Sequence, residues 1–236
     1  MNTHRSIAGC VLSTSLLVAC GGHGGSEGPP PPPPTAYAVN AALGHVLGTG
    51  GSWTVRGTAS DGHAYVITFA FAPLAPAPFP LSGVTAARSQ ETTNTTVDGA
   101  DLGNVTGTFY FDAVSLQFAG IEYDDGSCFA MTANTSLPTA TTIGTGGPLF
   151  AVTDFGDCVK GSPAVGTTTG TWSLDIDAGV VLLCWNLVSP SPPQSPGDTA
   201  STCFEVQPDG TLGTKARLTL GVVSLSGPFT LVARNF

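Results

Sequence analysis

The chain is poor in charge: 10% of its residues are Asp, Glu, Lys or Arg, and only seven of its 236 residues are basic. Phosphate recognition needs clustered cations, and Arg56, Arg88, Lys160, Lys215, Arg217 and Arg234 form no run longer than Lys215 with Arg217. Nucleic acid is therefore excluded as a partner. No apolar run reaches the roughly 20 residues that a membrane-crossing helix needs. No helical period is read after residue 36, and no G-x-S-x-G elbow presents a serine. The cysteines lack the short paired spacing of a zinc site, so no metal and no cofactor is expected.

What is present begins at the amino terminus. "MNTHR" leads into "SIAGCVLSTSLLVA", a short, mostly apolar stretch with the layout of a secretory signal. It stops on Leu17, Val18, Ala19 and Cys20. Those four residues resemble the lipobox of bacterial lipoproteins: a Leu-like residue, a small or branched one, a small one, then cysteine. The resemblance implies a signal peptide over 1–19, cleavage before Cys20 and lipidation of its thiol and new amino group. Cys10 in "IAGC" also fits the pattern, but cutting there would leave an apolar core of about four residues. Several acyl chains at about 0.8 kcal/mol per buried methylene hold a protein on a membrane where one chain does not. Gly21 is not the aspartate that retains many such proteins at the inner membrane, so the expected address is the bacterial outer membrane, with the leaflet open.

Residues 20–35 continue "CGGHGGSEGPPPPPPT", a composition that cannot build a core and reads as a tether. Six prolines in polyproline II extend about 19 Å at roughly 3.1 Å each. Residues 36–236 then suffice for one folded domain. Without the signal the chain carries six basic and sixteen acidic residues, so anionic headgroups would repel it and membrane attachment must come from Cys20. Four cysteines remain, an even number in an exported chain, which points to two disulfides. "LLCWN" and "STCF" flank the Pro/Ser-rich segment from Ser189 to Ala200 as the arms of a hairpin. That arrangement sets Cys184 opposite Cys203 and leaves Cys128 for Cys158.

Period-two alternation marks half-buried strands. In "TWSLDID", Trp172, Leu174 and Ile176 point one way and Ser173, Asp175 and Asp177 the other, and "DAG" turns the chain into "VVLLCWNLV". "SWTVRGT" and "HAYVITFAFAP" flank the turn "SDG", while "LQFAGIEY" and "CFAMTA" flank "DDG". "GTFYFDAV", "ARLTLGVVSL" and "FTLVARNF" add further strands. The expected fold is all-β, a single antiparallel sandwich or barrel of about 10–13 strands. Its core should contain Trp53, Phe109, Phe111, Trp172, Leu174 and Ile176. "TGTFYF" from Thr106 echoes "TGTWSL" from Thr169, and "SCF" at Ser127 echoes "TCF" at Thr202, which suggests a diverged duplication with a weaker third copy at "GSWTVRG".

Candidate chemistry is sparse. Ser60, Asp61 and His63 in "SDGHAY" have the composition of a triad, but Asp and Gly here are what a hairpin turn requires. Glu122, Asp124 and Asp125 miss the spacing of a calcium loop, and Asp175 with Asp177 lack further ligands. The final "FTLVARNF" ends in Phe, as do strands closing outer-membrane barrels, yet its alternate face holds Arg234 and Thr230 and is no lipid-facing band. The expected function is a non-enzymatic binding or structural component of the envelope. The alternative is a carrier of a small apolar ligand, which would need an interior cavity of about 300 Å³ or more.

Overall fold

A computed structural model describes residues 35–189, 198–224 and 227–236; among them the chain forms one helix and twelve strands. The helix α1 (Val39–Gly48) precedes β1 (Gly51–Thr58), β2 (Ala64–Pro78), β3 (Thr85–Val97), β4 (Ala100–Phe111), β5 (Phe118–Tyr123) and β6 (Cys128–Asn134). There follow β7 (Gly146–Phe155), β8 (Ala164–Asp177), β9 (Val180–Ser189), β10 (Asp198–Val206), β11 (Leu212–Ser224) and β12 (Gly227–Arg234). Every strand is antiparallel to its neighbours in the chain, and β12 returns to pair with β1. The all-β domain is thus a closed barrel, not a sandwich.

Tight turns set the registers. Ala178 and Gly179 join β8 to β9 with φ of 49° and 81°, and Asp98 and Gly99 join β3 to β4 with φ of 50° and 85°. Two positive φ values in a two-residue turn match the twist of the strands they connect. Closure depends on Gly57, because a Cβ there would press into the carbonyl oxygen of Val232 and stand 3.0 Å from Ala233 Cα. Those are backbone atoms of β12, so any side chain would push the seam apart.

The interior is mostly apolar, with Ser89, Glu91, Thr93 and Thr95 of β3 as its polar strip. The exterior is mostly polar apart from two small buried clusters, Val180, Leu182, Cys184 and Cys203 in one and Phe79, Ala86 and Tyr110 in the other. Trp53, Val55, Ile67, Phe69, Phe71, Phe109, Trp172, Leu174, Leu183, Trp185, Phe204 and Leu231 are all buried in one cluster. The alternate residues outside include the Thr54–Thr68 hydroxyl pair and Ser201, which donates to Asn186 Oδ1. This is the reverse of a membrane-spanning barrel, whose outside is the apolar band.

The helix departs from the sequence reading, which found no helical period. Val39, Ala42, Leu43, Val46 and Leu47 are buried at helical spacing and join the barrel core. Gly44 and Gly48 weaken the local propensity and Ala38 provides no side-chain cap, so burial of this apolar face is what holds the helix. Ala38 N–H donates to the Pro208 carbonyl in the β10–β11 turn, and Gly44 sits against Leu116 in the β4–β5 loop. The helix therefore lies across one mouth of the barrel.

Ile176 is the other correction. Trp53, Phe109, Phe111, Trp172 and Leu174 are buried, but Ile176 is 57% exposed. Its alternation is right; its height is not. It pairs with Val181 one step from the Ala178–Gly179 turn, beyond the packed layer.

Candidate functional site

The polar groups singled out in the sequence do not converge. Ser60 Oγ accepts the Thr230 N–H at 2.9 Å, while Asp61 accepts the N–H of His63 at 3.0 Å within the turn. His63 Nδ1 instead lies 2.6 Å from Asp98 of the β3–β4 turn, both half-exposed at the rim opposite α1. Asp98 raises the imidazole above its ordinary value, first through the hydrogen bond and then through its charge. His45 lies on α1 and uses its carbonyl to accept the N–H groups of Thr49 and Gly50.

The carboxylate groups serve local structure. Glu122 accepts the Tyr110 hydroxyl at 2.7 Å, Asp124 the Thr106 N–H at 3.0 Å, and Asp125 both donors of Ser127. Asp175 accepts the Ser173 hydroxyl. Asp177 is more than a solvated face residue: it bridges Arg217 at 3.1 Å and Arg234 at 3.3 Å. No group of three metal-ligating side chains occurs among the described residues.

The cysteines pair as Cys128–Cys158 and Cys184–Cys203. Cys184 and Cys203 are directly opposite on β9 and β10, on the outer face, where Arg217 Nη2 reaches both sulfurs. The intervening residues 190–197 lie outside the described residues, as does the whole lipobox with Cys20 and nearly all of the 20–35 tether.

The feature that sequence reasoning missed is inside the barrel. A cavity of about 70 Å³ is lined by Phe71, Glu91, Phe109, Phe118, Ile121, Tyr123, Phe150, Trp185, Leu187 and Thr202. Its rings form a connected series: Trp185 to Phe71 at 5.9 Å, Phe71 to Phe109 at 5.8 Å, Phe109 to Phe118 at 5.9 Å and Phe118 to Phe150 at 5.7 Å. Glu91 of β3 enters opposite Gly107 of β4, which is opposite Tyr123 of β5. A Cβ at Gly107 would stand 3.2 Å from the Tyr123 ring, so glycine there leaves room on the inner wall.

The electrostatics of this cavity are one-sided. Desolvation pushes the Glu91 carboxyl up to about 7, with a hydrogen bond from Thr93 opposing it. Burial also raises the Tyr123 phenol, helped by the charges of Glu91 and Asp154. Asp154 of β7 is raised by burial too; its Oδ2 accepts from Thr168 at 3.1 Å, while its Oδ1 is buried without a partner. Trp53 donates its indole N–H to the Gly213 carbonyl at 3.1 Å, but the indole N–H of Trp185 is buried with no acceptor. No Lys or Arg lines the cavity.

Two larger depressions are open to solvent. One of about 470 Å³ runs along the rim between the β2–β3 and β4–β5 loops, and one of about 330 Å³ lies at Gln90, Thr106, Thr108 and Glu122. The fold and these sites define a closed twelve-stranded β-barrel with a small aromatic cavity. No family model, curated protein or solved structure matches the chain.

Proposed function

We propose that this protein is a lipid-anchored, non-enzymatic component of the bacterial outer membrane. Cys20 carries the anchor, residues 20–35 form the tether, and the barrel is a rigid binding or structural body held off the lipid surface. The observation that carries the reading is the polarity of the wall, mostly apolar inside and rich in Thr, Ser and Asn outside. A barrel of that kind gains nothing from entering a bilayer, so attachment falls to the amino-terminal segment, where the lipobox residues are. Ser60 and His63, the pair nearest to hydrolytic chemistry, hold different partners. The interior favours this reading over the apolar-ligand carrier, since about 70 Å³ is well below the roughly 300 Å³ that such a pocket needs.

The test is Cys20→Ser expressed in a lipoprotein-processing bacterium with labelled palmitate. The parent should incorporate label and sediment with membranes, and the variant should do neither. A variant that stays membrane-bound without label would overturn the anchor.

A further inference from the structure

The interior cavity combines three features that each ask for a ligand. Glu91 presents a carboxyl with no basic side chain beside it. Six aromatic rings, those of Phe71, Phe109, Phe118, Tyr123, Phe150 and Trp185, surround the same space. Ring faces attract cations, more strongly when both are removed from water. Independently, Trp185 is only 8% exposed and its N–H donor is buried and unmatched. An unpaired buried donor costs about 1–3 kcal/mol, a cost that an acceptor on a ligand removes.

A cation alone satisfies Glu91 and the rings but leaves the indole N–H unpaired. A neutral acceptor satisfies the indole and leaves the carboxylate uncompensated. The size is restrictive as well: a dry cavity of about 150 Å³ holds the six carbons of benzene, so about 70 Å³ admits only a molecule of a few heavy atoms. Thr93 and Thr95 continue the inner wall toward the mouth opposite α1 and are only half-buried, so a polar path leads inward from that side.

We propose that the barrel binds a small organic ammonium ion that also carries a hydrogen-bond acceptor, an amino alcohol in its simplest form. The ammonium sits against Glu91 within the rings and the oxygen accepts from Trp185. This goes beyond the anchored-scaffold reading and does not depend on the lipid: it fails or stands on the interior alone.

The experiment is isothermal titration of the full-length protein in detergent micelles at pH 8, with ethanolamine hydrochloride, ethylammonium chloride and 1-propanol as probes. Ethanolammonium should bind one to one and saturably, ethylammonium about tenfold more weakly for the loss of one hydrogen bond, and propanol not measurably. Glu91→Gln should abolish binding of both cations. Trp185→Phe should bring ethanolammonium down to the level of ethylammonium and leave the latter unchanged. Near-ultraviolet circular dichroism establishes that each variant is folded; should Trp185→Phe not fold, the probe series and Glu91→Gln decide. Absence of binding by the parent, equal binding of propanol, or undiminished binding by Glu91→Gln overturns the proposal.

Discussion

At the residue scale, the cavity turns on Glu91. In "SQETTNTT" it looks like one more solvated carboxylate, because the stretch is polar at every position and shows no apolar alternation. Only the register makes it inward: Glu91 is opposite Phe71 on β2, and Phe71 is a core residue. Its ordinary value of 4.5 rises to about 7 in the folded barrel, which gives the pH dependence a definite sign. Below about 4.5 both folded and unfolded chains hold the proton and the site costs nothing. Between about 4.5 and 7 the unfolded chain releases it first, so stability falls as pH rises, and above 7 the full cost is present. Glu91→Gln should therefore be more stable than the parent at pH 8, with the difference closing as pH falls toward 4.5. Asp154 is retained in both proteins, and Tyr123, although the charge of Glu91 adds to its shift, is raised by burial first and so keeps its proton in both across this range. Urea unfolding of the pair across that range checks this, and a gap independent of pH would mean that the carboxylate is solvated.

At the scale of elements, most strands were legible from one apolar face or a flanking turn, while β3, β7 and the helix were not. β1 and β8 alternate cleanly, since each places apolar residues inside and mostly Thr or Ser outside. β2 alternates in size, with Ile67, Phe69 and Phe71 inside and Thr68, Ala70 and Ala72 outside, whereas β9 buries Val180, Leu182 and Cys184 on its outer face as well and is marked by the Ala178–Gly179 turn before it. β3 has polar residues on both faces, so no period marks it, although Asp98-Gly99 at its end is a strong hairpin signal. The helix was missed because its two glycines read as loop, and its apolar residues make sense only as a cover for a barrel mouth. The echoed segments fall on β4 and β8, and at β6 and β10, four strands apart both times, as a duplicated block would place them. The third copy opens β1, three strands before β4, and so breaks that step. Packing depth separates residues that alternation treats alike. Trp172→Ala should cost about 3–5 kcal/mol for a buried aromatic, while Ile176→Ala, on the same face but 57% exposed, should cost well under half of that. Thermal unfolding of the two variants makes the comparison; equal losses would place Ile176 in the core.

At the scale of the whole molecule, closure is what the sequence hid. β1 and β12 meet through Arg56 and Arg234, nearly the full length of the domain apart, and no local pattern announces that pairing. The glycine that permits it, Gly57, sits in an ordinary-looking strand. Long-range pairings of this kind are entropically costly to form, since the loop between them must be closed before the contact rewards it. The two disulfides reduce that cost in neighbouring parts of the ring. Cys128–Cys158 closes a separation of 30 residues and ties β6 to the β7–β8 loop; Cys184–Cys203 closes 19 and locks β9 to β10. In the chain-entropy account each bridge contributes about 3–4 kcal/mol, a large share of the roughly 5–15 kcal/mol typical of a domain. Reduction should lower the melting temperature markedly, and single serine replacements at Cys128 or Cys184 should each account for about half the loss. Because the bridges span different strands without shared partners, their effects should add. Calorimetry of the oxidised, singly substituted and fully reduced proteins tests this, and a reduced barrel melting at the oxidised temperature would show that the aromatic core and the Gly57 seam hold the ring closed without them.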